Sequence, residues 1–135
     1  MVLSGTEQAW SVAQSADLYG LERWGEPYFS INAKGHVVVQ PRGDRGGSLD
    51  LVELLQGLKA RDLSTPILIR FDDILEDRLE RLHAAFERAI AHYAYDASYQ
   101  GGCPIKCTQQ RHVAEHLVDR GNRSNYGLEA GSKAE

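Results

Sequence analysis

The spacing of apolar positions changes along the chain, and each change predicts a different element. Phe29 and Ile31, then Val37 and Val39, alternate with their neighbours across Asn32-Ala33-Lys34-Gly35. That pattern predicts a β-hairpin running from Tyr28 to Gln40, with Gly35 free to take positive φ at the turn. The preceding stretch, Ser15 to Gly25, carries too many glycines for a long helix. Pro41 to Gly47 reads as a polar loop. Leu51, Leu54, Leu55 and Leu58 then share one helical face, with Ser48 placed to cap it. Pro66 to Phe71 is a nearly continuous apolar run of strand length, the pattern of a strand covered on both faces.

Leu75, Leu79, Leu82, Phe86, Ala89, Ile90 and Tyr93 recur at three and four, predicting the strongest amphipathic helix of the chain. Asp73 followed by Glu76 resembles a capping box at its start. A strand is expected over Tyr99 to Lys106 and a shorter helix over Gln109 to Arg120, with Gly121 as its C′ residue. Asn125 to Ala130 reads as a further strand. Strand, helix, strand, helix, strand implies parallel pairing through helical crossovers. The reading is therefore α/β, with residues 1–47 as an N-terminal segment contributing a hairpin and residues 48–135 as the start of a parallel α/β layer. A complete (β/α)8 barrel needs roughly 250 residues, so this would be a truncated part of one.

The 135 residues carry a formal net charge of -4. That balance argues against a general polyanion binder. Trp24, Tyr28, Phe29 and Tyr126 are not interleaved with basic residues as base stacking requires, so no nucleic-acid role is expected. No apolar run approaches the roughly 18 residues of a membrane span, and no signal peptide is recognisable, so a cytoplasmic, non-membrane protein is expected. Cys103 and Cys107, on one face of a continuous strand, would stand about 13 Å apart, too far for a disulfide.

Chemistry concentrates at Lys106. It ends the predicted strand within Pro104-Ile105-Lys106-Cys107, where α/β enzymes place reactive groups. A lysine there is either a solvated strand cap or an amine that captures a carbonyl. Gly131 and Ser132 follow the next strand and read as an ordinary helix start or as a loop lining the same pocket, with Glu129 close by. His112 and His116 are four apart on one helix, but no third ligand is patterned with them, so no metal site is expected. Arg70 stands at another strand end, where it would meet an anion or a helix carboxylate. No phosphate-binding glycine motif is present.

Three stretches, Pro66 to Leu75, Pro104 to Arg111 and Gly127 to Glu135, resemble in order and spacing the biosynthetic arginine decarboxylases of bacteria and plants. Leu18-Tyr19-Gly20, Trp24-Gly25, Tyr28-Phe29 and Asn32 to Val37 extend the resemblance over nearly the whole chain. It implies a pyridoxal-phosphate-binding barrel of the alanine racemase type joined to a β-domain, to which the hairpin would belong. It also implies decarboxylation of L-arginine to agmatine and carbon dioxide in polyamine and spermidine biosynthesis, by a homo-oligomer with magnesium. Lys106 is then the lysine that forms the Schiff base with pyridoxal 5'-phosphate, and Glu129, Gly131 and Ser132 are further candidate contacts.

The family usually reads Tyr-Pro-Ile-Lys-Val-Asn-Gln, whereas this chain has Cys103, Cys107 and Thr108 at the first, fifth and sixth positions. A hydroxyl at Thr108 offers one donor where the amide offers two. The isolated chain is expected to be inactive. Two alternatives stay open: a related decarboxylase of another amino acid, or a non-catalytic fragment that binds a partner through its unfinished sheet.

Overall fold

The computed structural model describes residues 9–121 and 125–135. The backbone divides into two compact units, Met1–Leu68 and Ile69–Glu135.

The first unit opens with two short helices, α1 (Val12–Leu18) and α2 (Leu21–Trp24), broken by Gly20 in the left-handed region at φ 61°. Ser11 and Gln14 form a reciprocal capping box at the start of α1. The expected hairpin follows as β1 (Phe29–Ile31) and β2 (Val37–Val39), with Phe29 opposite Val39 and Ile31 opposite Val37. Gly35 takes φ 79° at the turn, and the Asn32 side chain accepts hydrogen bonds from the Lys34 and His36 amides.

A third strand, β3 (Leu49–Asp50), pairs antiparallel with the other edge of β2. It was not anticipated, because two residues carry no alternation. Helix α3 (Leu51–Lys59) starts directly from it and packs on β2 and β3. The residue that caps α3 is therefore Asp50 and not Ser48. Leu21, Tyr28, Val38 and Val39 form the buried core of this unit. β3 and α3 are tied to the hairpin by pairing and packing, and the unit runs to Leu68.

Pro66 to Phe71 does not form a strand. Its run of apolar side chains suits a buried position, but an extended segment becomes a strand only when a neighbour supplies a hydrogen-bond ladder. Leu68 stands 77 % exposed.

In the second unit the strongly periodic helix is present as α4 (Asp72–Tyr93). Its N-cap is Phe71, without a side-chain cap, so Asp73 and Glu76 lie within the helix and form no capping box. Both Asp72 and Asp73 occupy the first turn, where the helix dipole favours acids. Strand β4 (Gly101–Pro104), helix α5 (Arg111–Gly121) and strand β5 (Tyr126–Glu129) follow. The expected strand to Lys106 stops at Pro104, because Ile105–Cys107 coil into a 3-10 turn. Gly121 closes α5 as its last helical residue.

β4 and β5 pair in parallel, from Gly101 opposite Tyr126 to Pro104 opposite Glu129, and α5 forms the crossover between them and packs on β5. Leu79 and Leu117 are the buried apolar side chains of this unit. Buried beside them, Asp77 pairs with Arg81 one turn on, and Glu76 reaches Arg120 of α5 at 3.4 Å. The chain is thus α/β, a three-stranded antiparallel sheet in one unit and a parallel β-α-β crossover in the other. No closed barrel is formed by the described residues.

Candidate functional site

The corner that carries Lys106 is built from the start of β4. A Cβ on Gly101 would lie 2.3 Å from Tyr126 Cδ2 and 2.9 Å from Tyr99 Oη, so only glycine lets the two strands meet with the Tyr126 ring between them. The Gly101 amide donates to Asn125 O at 3.1 Å, and four parallel residue pairs carry the register to Pro104 and Glu129. Beyond those partners both strands leave the sheet on the same edge. On one side the chain coils through Ile105–Cys107, closed by the Thr108 amide donating to Ile105 O at 3.2 Å. On the other it turns through Gly131 and Ser132.

Lys106 lies in that 3-10 turn and is exposed. Adjacent parallel strands run about 4.8 Å apart, so the turn holding Lys106 and the loop holding Gly131 are neighbours by register. Glu129 is exposed on the same edge. Both loops are carried by the carboxyl ends of parallel strands, the place where open α/β sheets bind ligands.

The Gly131 amide donates to Glu135 Oε2 at 2.9 Å, and Ser132 Oγ donates to Glu135 Oε1 at 3.3 Å. The Glu135 amide in turn donates to Ser132 O. The Glu135 carboxylate thus folds back onto the Gly131 amide and the Ser132 hydroxyl in a closed turn. An anion seated on these two donors would have to displace the Glu135 carboxylate.

The two thiols flank Lys106 and are both free. Burial pushes the Cys103 thiol above its ordinary range, with Cys107 adding to the shift. Burial likewise raises the Tyr126 phenol, helped by Cys103 and Tyr99. Both groups are thus held neutral at physiological pH behind the exposed turn. An adjoining cavity of about 360 Å³ is lined by Ile105, Gln109, Arg111, Ala114, Glu115, Val118, Asp119 and Leu128. Lys106 is not among its walls.

Other residues singled out by sequence lie elsewhere. His112 is exposed on α5, while His116 is half-buried with Nε2 lacking a hydrogen-bond partner. Among the described residues no group of three or more His, Cys, Asp or Glu side chains is gathered to hold a metal ion. Arg70 is exposed in the unpaired segment. No helix among the described residues is long and apolar enough to cross a membrane.

Sequence reading missed a polar cluster in the first unit. Asp50 Oδ2 accepts from Asn32 Nδ2 at 2.9 Å and meets His36 Nδ1 at 2.8 Å, while Oδ1 accepts from the Val52 and Glu53 amides. Burial alone would raise the Asp50 pKa. The hydrogen bonds from His36, the Glu53 and Val52 amides and Asn32 outweigh it and bring the pKa from 3.8 to about 2. Two signals were available: Asp immediately before an apolar helical face, and Asn at the first turn position.

The geometry defines an α/β chain with an exposed lysine at the carboxyl end of a parallel strand. Comparison with known proteins shows what the chain is similar to. The chain is 70% identical over 129 residues to the biosynthetic arginine decarboxylase of a Synechococcus species, covering 96% of this chain and 20% of that protein. It is 58% identical over 136 residues to the enzyme of that name from Thermosynechococcus vestitus, covering all of this chain and 21% of the relative. A Synechocystis protein named biosynthetic arginine decarboxylase 1 is 55% identical over 129 residues. No family model matches the chain. Nearly the whole chain is thus similar to proteins named biosynthetic arginine decarboxylase, and it spans about a fifth of the length of the relatives it matches.

Proposed function

We propose that this chain carries the cofactor lysine of an arginine decarboxylase, and that Lys106 anchors pyridoxal 5'-phosphate in the complete enzyme. The observation that supports this most is the position of Lys106 on a short, hydrogen-bonded turn at the carboxyl end of β4, beside the loop that follows β5. In the complete enzyme these parallel strands would belong to a (β/α)8 barrel, and β1 to β3 to a separate β-domain.

The residues present fit the cofactor as a covalent anchor. Lys106 is exposed and therefore reachable by an aldehyde, and its backbone is fixed by Pro104 before the turn and by the Thr108 amide after it. Glu129, on the same edge, is an acceptor for an amine proton. Gly131 and Ser132 offer an amide and a hydroxyl to an anion once Glu135 is displaced. Pyridoxal phosphate held there supplies the electron sink that decarboxylation of an amino acid requires. Residues of this chain contribute the amine and the strand register that aims it. The substrate is L-arginine, the products are agmatine and carbon dioxide, and the complete enzyme is a homo-oligomer; the resemblance also implies magnesium, for which the described residues gather no group of three or more His, Cys, Asp or Glu.

Binding of the guanidinium, the phosphate and the pyridine nitrogen needs more groups than this corner provides. Release of labelled carbon dioxide from labelled arginine by the 135-residue chain alone is expected to stay at the blank level. The anchoring reading is tested by adding pyridoxal phosphate, reducing with borohydride and mapping the modified peptide. The pyridoxyl group is expected on Lys106. An even spread over Lys34, Lys59, Lys106 and Lys133 would show that the turn confers no selectivity and would sink the assignment.

A further inference from the structure

Phe86, Ile90, Tyr93, Tyr95 and Tyr99 line an open cavity of about 480 Å³ in the second unit, where α4 ends and the chain turns toward β4. It lies at the amino end of β4, whereas Lys106 lies beyond its carboxyl end. The Phe86 and Tyr99 rings stack in parallel, centroids 3.9 Å apart and planes 2° from each other, and give the cavity a fixed aromatic wall. Tyr93 and Tyr95 remain 78 % and 66 % exposed, so their rings are available to a ligand.

An aromatic cavity of this kind can take a neutral apolar group or a cation, and the surrounding charge decides between them. Aromatic faces are electron-rich. Tyr93 is the last residue of α4, so the negative end of the helix dipole is at the rim. Asp96 is exposed in the loop between Tyr95 and Tyr99 and forms no ion pair among the described residues. Two imidazoles adjoin the walls, His92 edge-on to Tyr93 with centroids 4.8 Å apart and His83 at 6.2 Å from the Tyr99 ring, and neither is part of the lining. Rings, helix end and carboxylate all favour positive charge.

We propose that this cavity binds a small organic cation, an alkylammonium or guanidinium group seated against the Tyr93, Tyr95 and Tyr99 rings with Asp96 at the rim. The inference is independent of the role given to Lys106. The test is a titration of the 135-residue chain with choline and, separately, with 3,3-dimethylbutan-1-ol, its uncharged isostere, followed by NMR shifts of the Tyr95 and Tyr99 amides. Choline is expected to saturate those shifts and to bind at least about tenfold more tightly than the alcohol, a difference of about 1.4 kcal/mol.

Tyr95→Leu keeps an apolar wall at an exposed position and is expected to weaken choline about fivefold while leaving the alcohol little changed. Asp96→Asn is expected to weaken choline alone, by about twofold to threefold. Equal affinity for the two ligands, choline binding unmoved by Tyr95→Leu, or the absence of saturation with either ligand would each overturn the proposal.

Discussion

Replacing Gly101 by alanine tests the packing that sets the Lys106 corner. The new methyl would lie 2.3 Å from Tyr126 Cδ2 and 2.6 Å from Cε2. Carbon atoms attract best at about 3.5–4.0 Å, so the ring would have to retreat by more than about 1 Å. Overpacking of this kind costs roughly 1–3 kcal/mol. Gly101 is not among the positive-φ glycines, so alanine can adopt its backbone, and the stiffer unfolded chain returns about 0.4–1 kcal/mol. At the midpoints of these ranges the net cost is about 1.3 kcal/mol, concentrated at the first residue pair of the parallel ladder. Hydrogen exchange reads it locally. After correction for its intrinsic rate, the residue 101 amide, bonded to Asn125 O, should exchange roughly tenfold faster than in the parent chain. In a Tyr126→Ala background, where the ring is gone, the same substitution should cost much less, since only the Tyr99 hydroxyl at 2.9 Å remains to give way. Unchanged exchange in the single variant, or an equal cost with and without the ring, would refute the steric account.

Asp50 supplies a pH prediction. Its pKa is lowered from 3.8 to about 2, so the stability it contributes is complete above pH 3.8 and is lost as pH falls through 2. Acid titration followed by circular dichroism should show a loss of helix over that window that Asp50→Asn flattens; an unchanged acid limb would count against the cluster. Val39 is fully buried, and Val39→Ala removes two methylene equivalents, so a cost of about 1.5–2.5 kcal/mol is expected in urea unfolding of the first unit. Leu117→Ala, in the second unit, should cost about 2–4 kcal/mol, and a loss below about 1 kcal/mol in either variant would argue against the packing described. Iodoacetamide at neutral pH should label the exposed Cys107 before Cys103, whose thiol is raised by burial. Faster labelling of Cys103 would show that it is not shielded.

What the sequence made legible followed from how local each signal was. The hairpin register, the long helix and the β-α-β crossover all rest on periodicity repeated over several residues, and each is present. Ends were misread wherever a single residue decided them. Asp50 displaced Ser48 as the cap because its carboxylate also receives Asn32 and His36 from the turn of another strand, a partnership that chain spacing does not display. β3 escaped because its two residues are defined by pairing with β2 alone. Pro66 to Phe71 shows the reverse failure: its composition is that of a buried strand, yet strand structure requires a partner as well as a sequence. The position of Lys106 at a strand end was readable, but the coil that replaces the last strand residues was not, since Ile105 and Cys107 carry no helical signal.

That coil changes how the lysine is placed. On a continuous strand, residues 105 and 106 would point to opposite faces of the sheet, and a one-residue slip would exchange them. With the ladder ending at Pro104, whose ring cannot donate to it, the orientation of Lys106 is set by the turn, and the turn is held by Thr108 and by the register of Pro104 against Glu129. A family asparagine at the position of Thr108 would bring a side-chain amide to this turn, but the hydrogen bond that closes it here comes from the backbone N–H, which threonine supplies equally well. Threonine therefore preserves the placement of Lys106, and whatever it costs the complete enzyme falls on contacts of the missing side-chain amide.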